Sequence, residues 1–521
     1  MKKELLILSF AFLGKTFDTK AQDSAYLDLN SIKAAFYSDG GLFSNGQVSH
    51  FEAPKGSGSS TMFVSQLWIG GLDAGGNLRT ACQTYKQTGS DFWPGPLDPI
   101  TDSIDAATSV QYDKVWRINK STIDSFKLGL FTTIPQEIID WPGKGGSSFS
   151  SDMTPFFDFN GNTIYDPANG DYPIIKGDQA VYFIFNDKLH AHTETSSAQI
   201  GLEIHGMAYA YKCYSDTALN NTIFLNYKII NKSSLTLHNT KVGLWSDLDI
   251  GGPFDDYIGC DSTLNMYYGY NGDNNDASSG GIVGYGTALG AEGIVFLNKQ
   301  MSGFTYYNND NTLAGNPTNA SDYYNYMNAK WRDGLPITYG GNGRGGNAPT
   351  PYMFSGFPEV PAGWIETVTP GDRRGLGSVD IDTLLAGGII DLDIAFVFSR
   401  AAAGQNNGAS VGLLKQRAQQ IQAFYNSGLL PTCNNLASVG NVNKPKISIG
   451  VFPNPATNKL SVKINSAIES IQIIDVLGNT VLSVQHTQSN EIDIQSLSAG
   501  VYFAKVKSTN NQESIVRFVK E

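Results

Sequence analysis

Charge is scarce in this chain. Lys, Arg, Asp and Glu together make up 16% of 521 residues, below the usual quarter. What charge there is leans acidic, at a formal net of −12, which argues against a basic face for nucleic acid or for anionic lipid. Cysteine is scarce as well. Cys82, Cys213, Cys260 and Cys433 show no C-x-x-C spacing, so cysteine-based zinc or redox readings are weak. Four cysteines allow three disulfide pairings, and spacing does not choose among them. Long apolar runs are missing beyond the first residues, so the sequence predicts no transmembrane helix in the mature chain. Helical periodicity is rare. In its place stand 56 Gly, 25 Tyr and 28 Phe, a composition of turns and half-buried sheets. The expected fold is mainly β, and the length implies more than one domain.

The chain opens with Lys2 and Lys3, then "LLILSFAFLG" from Leu5 to Gly14. A basic flank and a short apolar core, with Thr19 and Ala21 as small residues before Gln22, describe a secretory signal over residues 1–21. Export would permit disulfides.

Residues 22–430 read as a β-rich cargo region of sandwich type, with a possible break between subdomains near residue 145. "AVYFIFND", "IGLEIHGMAYAYK", "NTIFLNYKIINKS" and "TKVGLWSDLD" are its clearest strands, broken by Asn, Ser and Asp. Residues 265–380, rich in Gly, Asn and Tyr, read as long surface loops around a few strands. One helix is legible. Val411, Leu414, Ala418, Ile421 and Tyr425 keep a helical face, Gly428 stands past its end, and Ser410 reads as its N-cap. Residues 431–446 are a polar linker.

Beyond the linker the rhythm changes to short strands about ten residues apart. The stretches "FPNPATNKLSV" (452–462), "IIDVLGNTV" (473–481), "IDIQSLSAGVYFAKV" (492–506) and "RFVKE" (517–521) follow in order. On these motifs, residues 447–521 closely resemble the type A C-terminal sorting domain of the bacterial type IX secretion system. The resemblance implies a small β-sandwich that the type IX translocon in the outer membrane recognises after passage through the periplasm. Pro453, Asn454, Pro455, Gly478, Gly500, Tyr502 and Lys520 would carry the sorting motif, and the cargo would end outside the cell or on its surface. The cargo itself resembles secreted bacterial proteins of unassigned function, through "FEAPKGSGSSTMFVSQLWIGGLD", "TYKQTGSDFWPGPLD", "GDYPIIKGDQAVYFIFND" and "DDYIGCDSTLNMYYGYNGD". That resemblance implies no activity.

Two acidic stretches are candidate Ca²⁺ sites. In "DFNGNTIYDPANGD", Asp158, Asn160, Asn162 and Asp166 hold positions 1, 3, 5 and 9 of a ligand loop, Ile164 offers a carbonyl at 7, and Asp171 or Asp178 is placed to complete the shell. Thr163 and Asn169 replace the turn glycine and the bidentate glutamate, so the loop is no EF-hand. In "SDLDIGGPFDDYIGCD", Asp247, Asp249, Asp255 and Asp256, with Asp261, repel one another unless solvated or metal-bound. "HAHTE", with Glu203 and His205 beyond it, offers two His and a carboxylate to Zn²⁺ if His190, His192 and Glu194 share a strand face. Two motif matches fail on context. "GASVG" at 408–412 lacks a strand leading into its turn, and "GNGRGG" at 341–346 precedes "NAPTPY", which cannot open a helix. With no credible nucleophile, no catalytic residue is assigned. The expectation is a secreted or surface protein for binding, adhesion or structure, with calcium-stabilised loops and a possible glycan or surface ligand. The alternative is a polysaccharide hydrolase using carboxylates around Asp247–Asp261.

Overall fold

The computed structural model describes residues 23–87, 89–143, 153–428, 449–464, 467–475, 480–485, 490–509 and 513–521. The signal segment, the linker and Cys433 therefore lie outside the described residues. The chain divides into two compact units, Met1–Asn435 and Leu436–Glu521.

The large unit is layered. One antiparallel sheet runs, in spatial order, Met301–Asn308, Arg373–Leu384, Leu237–Leu248, Val64–Leu72 and Leu78–Cys82. A nine-stranded sheet lies opposite. Its centre is Gln179–Asn186, Leu202–Ala210, Thr222–Asn231, Ile389–Arg400 and Gly290–Phe296. Trp68, Leu244 and Trp245 from the first sheet share a core with Phe183, Tyr227 and Phe396 from the second. The helix Asn407–Ser427 covers the outer face of the nine-stranded sheet, where Val411, Leu414, Ala418 and Ile421 pack with Tyr268, Val295 and Val397.

This layering explains why the central strands read as apolar runs. Every residue of Gln179–Asn186 is buried. Val181, Phe183 and Phe185 point into the inter-sheet core, while Ala180, Tyr182 and Ile184 point into the outer one. Side chains alternate faces along a strand, and here both faces are apolar. Sheets also cross the expected break near residue 145, since Trp116–Asn119 pairs with Gln179–Asn186.

Two local expectations are corrected. The helix starts at Asn407 with Asn406 as N-cap, whose side chain accepts from the Ala409 amide. Ser410 is buried inside the first turn, donating to the Asn407 carbonyl. The Gly/Asn/Tyr-rich region holds more regular structure than its weak periodicity implies. Met266–Asn271 and Gly290–Phe296 are wholly buried strands, and Ala320–Met327 is a helix capped by Asn319. Burial on both faces removes the polar alternation by which such strands are recognised. Cys213 is disulfide-bonded, whereas Cys82 and Cys260 are free and buried.

The small unit has two sheets: Ile449–Phe452, Lys459–Ile464 and Glu491–Asp493 in one, and Thr480–Gln485, Ile468–Ile474, Gly500–Ser508 and Glu513–Lys520 in the other. Leu460, Val462, Ile471, Ile473, Ala504, Val506 and Phe518 form its own core. Among the described residues, no helix is long and apolar enough to cross a membrane.

Candidate functional site

The strand Leu237–Leu248 ends one residue before Asp249, and Arg373–Leu384 begins one residue after Asp372. These neighbours pair antiparallel with Asp247 opposite Arg374. Residues two apart share a face. The register therefore sets four charges together, Asp247 and Asp249 from one strand end and Asp372 and Arg374 from the next. The three carboxylates present oxygens within 4.8 Å of one another. They form the floor of a cleft of about 500 Å³ whose walls include Phe63, Tyr85, Glu194, Tyr307 and Tyr323.

The hydrogen bonds are uneven. Tyr85 donates its hydroxyl to Asp247 Oδ2 at 2.7 Å, and accepts at 2.6 Å from Arg374 Nε. Arg374 Nη2 stands 3.3 Å from Asp247 Oδ2, and Nη1 contacts Asp372 Oδ1. The Asp247 and Arg374 side chains are each 4% exposed. Asp247 Oδ1 and Asp249 Oδ1 are buried with no hydrogen-bond partner. Burial pushes the Asp247 carboxyl up to about 7, against Arg374, with Asp372 adding to the rise. Burial also lifts Asp249 well above the usual carboxylate range, helped by the charges of Asp247 and Asp372.

Aromatic packing holds this floor. Trp68 stacks on Trp245 at 6.1 Å, and the Tyr85 ring stands edge-on to Trp245 at 5.1 Å. Tyr323 packs against Trp68 at 4.6 Å and donates to Glu194 at 2.8 Å. A second cavity, of about 610 Å³, includes Tyr306, Asn308, Trp331, Arg344 and Arg373. It shares Asn309 and Asp372 with the first, but its Tyr306 and Arg373 are one residue out of step with Tyr307 and Arg374 of the first and so leave the opposite face of their strands. The "GNGRGG" stretch buttresses this end. Trp331 Nε1 donates to the Gly343 carbonyl at 2.9 Å, and Trp364 Nε1 to that of Gly341 at 3.0 Å.

Of the residues singled out above, the structure brings together Asp247 and Asp249. Asp372 joins them from a strand more than a hundred residues later, and only the pairing register reveals it. Asp255 and Asp256 stand outside the group. Asp256 is buried and accepts from the Ile250 amide at 2.9 Å, bracing the turn after Asp249. Asp261 faces Lys415 at 3.3 Å.

The Asp158–Asp171 loop is wound on itself. Asp158 accepts from the amides of Gly161 at 2.7 Å and Thr163 at 2.8 Å, and Asn162 from that of Ile164 at 2.7 Å. The side-chain amides of Asn160, Asn162 and Asn169 all turn to Asp166. Buried Asp171 clasps the loop through the amides of Phe159 and Asp166. Thr163 takes φ 65°, the left-handed conformation that a turn glycine would supply.

The His group does not converge. His190, His192 and Glu194 lie in the segment between two strands, not on a strand face. Both ring nitrogens of His192 meet carbonyls, those of Thr80 and Asp187, each at 2.9 Å, so both donate. His205 pairs instead with Glu203 at 2.8 Å.

In the small unit the described residues expected to carry the sorting motif lie along one seam. Asn454 accepts from the Val519 amide at 2.9 Å. The Ala456 amide donates to the Val519 carbonyl at 2.8 Å, and the Glu521 amide to Ala456 at 2.9 Å. Pro453 and Pro455 bring no donor, so these bonds fall to Asn454 and Ala456. Gly500 pairs with Lys520, and Tyr502 stacks on Phe518 at 5.9 Å. Gly478 lies outside the described residues.

No curated protein matches the chain. Among solved structures, a polysaccharide lyase is similar at 9% identity and a TM-score of 0.20, over 67% of this chain and 37% of that one. The BSP domain of a biofilm-associated protein is similar at 11% identity and a TM-score of 0.16, over 96% of this chain and 80% of that one. This chain thus spans well under half the length of the lyase, and TM-scores this low carry no argument. Residues 450–521 match the family model of the secretion system C-terminal sorting domain. The chain therefore carries a type IX secretion system sorting domain, the mark of proteins exported to the cell surface or the extracellular space.

Proposed function

We propose that the cargo is a non-enzymatic binding protein, presented outside the cell, that holds a glycan chain in the first cleft. The carrying observation is the lining of that cleft, where Phe63, Tyr85 and the exposed Phe254 stand beside Asn309, Asn316 and Arg374. Its walls set aromatic rings beside amides, carboxylates and a guanidinium group. Rings take up the C–H faces of sugars, while planar polar groups bond pairs of hydroxyls. Residues 1–21 act as the export signal in this reading, and the C-terminal module engages the type IX translocon.

A polysaccharide hydrolase is the competing reading. It needs two carboxyl groups facing each other across the scissile bond, about 5–9.5 Å apart. Here Asp247, Asp249 and Asp372 converge on one another, and Asp247 is committed to Tyr85 and Arg374. The test is a glycan array run beside a reducing-sugar assay on the purified protein. Retention of a polysaccharide without sugar release is expected, with binding weakened by Phe254→Ala, whose exposed ring lines the cleft. Sugar release that disappears in Asp249→Asn would replace binding by hydrolysis.

A further inference from the structure

We propose that Asp247, Asp249 and Asp372 form a divalent-cation site at the floor of the first cleft, and that the ion is Ca²⁺. Buried carboxylate oxygens in folded proteins are almost always hydrogen-bonded or bound to metal. Asp247 Oδ1 and Asp249 Oδ1 are neither hydrogen-bonded nor exposed, with Asp247 at 3% and Asp249 at 9% relative exposure. Arg374 does not reach them. Its contacts are Asp247 Oδ2 and Asp372 Oδ1. In their ionised form, three carboxylates against one guanidinium carry an excess of two negative charges, which one divalent ion neutralises.

The donors choose the ion. All are oxygens, so a hard cation is favoured over zinc or copper. Three carboxylates from two strand ends leave several positions open to the cleft. Ca²⁺, with six to eight irregularly placed ligands, accepts water or hydroxyls there more readily than the strictly octahedral Mg²⁺. The site is also braced before any ion arrives. Tyr85 and Arg374 fix the far side of Asp247, and Asp256 holds the turn behind Asp249 through the Ile250 amide.

This assignment goes beyond the glycan reading and does not depend on it, because its test contains no sugar. The full chain is treated with EDTA, dialysed, and titrated with CaCl₂, MgCl₂ and MnCl₂ by calorimetry, with melting temperature followed in parallel. Expected are Ca²⁺ binding that raises the melting temperature, and a loss of affinity of at least tenfold in Asp249→Asn and in Asp372→Asn. Asp255→Asn, on the same turn but outside the group, keeps the wild-type affinity. Two aspartates are tested because each may be checked for folding by circular dichroism before titration. Absence of Ca²⁺ binding at 1 mM, or unchanged affinity in a folded Asp249→Asn variant, overturns the proposal. The latter result would place any ion elsewhere, such as the Asp158–Asp171 loop.

Discussion

At the scale of single residues, buried charge decides more than exposed charge. His192 is the clearest case. Burial pulls its imidazole down, but the Asp187 carboxylate and then Asp91 raise it to about 9. A histidine held above its unfolded value contributes stability that is complete below about 6.5 and lost as pH rises through about 9. We expect the melting temperature to fall across that window. His192→Gln should cost about 3 kcal/mol at pH 6 and much less at pH 10, as followed by urea titration at both values. Arg374 is the second case. Truncation to Met would leave Asp247 buried without its cation, at a cost of about 3–5 kcal/mol by the same measurement. Neither role is legible in the sequence. His192 and Asp187 are close in the chain, but Asp91 and Thr80 arrive by folding, just as Arg374 reaches Asp247 only through strand pairing.

At the scale of elements, the helix Asn407–Ser427 shows what a pattern can and cannot predict. Its buried face was legible because the spacing of Val411, Leu414, Ala418 and Ile421 follows the helical repeat. Its true start was not, since Asn406, Asn407 and Ser410 are all plausible caps by chemistry. Backbone geometry selects Asn406. The energetics should differ accordingly. Asn406→Ala removes one cap bond and should cost about 1 kcal/mol. Leu414→Ala opens a cavity against Gly293, whose own Cβ would stand 3.1 Å from Leu414, and should cost about 2–5 kcal/mol. Chemical denaturation of both variants checks the ratio. The strands Met266–Asn271 and Gly290–Phe296 were hidden for the converse reason. Sheets buried on both faces lose the alternation that identifies a strand, and their tyrosines and glycines resemble loop composition.

At the scale of the whole molecule, each unit has its own hydrophobic core. Deleting residues 447–521 should therefore leave the cargo folded, with its melting transition within a few degrees of the full chain. The same deletion should hold the cargo in the periplasm, as cell fractionation would show, because the sorting seam from Asn454 to Lys520 is gone. The sorting module was readable from sequence alone. Its motifs are local, ordered and close together, so a linear string records them. The β class was readable too, from composition and turn residues. The cleft was not. Two of the three carboxylates, Asp247 and Asp249, stood out as a charged stretch, but spacing equally offered Asp255 and Asp256. Which carboxylates meet depends on the register between Leu237–Leu248 and Arg373–Leu384, a contact between segments more than a hundred residues apart. A one-residue slip in that register would send Arg374 to the opposite face. The sequence by itself determined export and β architecture, because both rest on local patterns. Only the tertiary structure decided the site, because burial and long-range pairing chose which charges face one another without water between them.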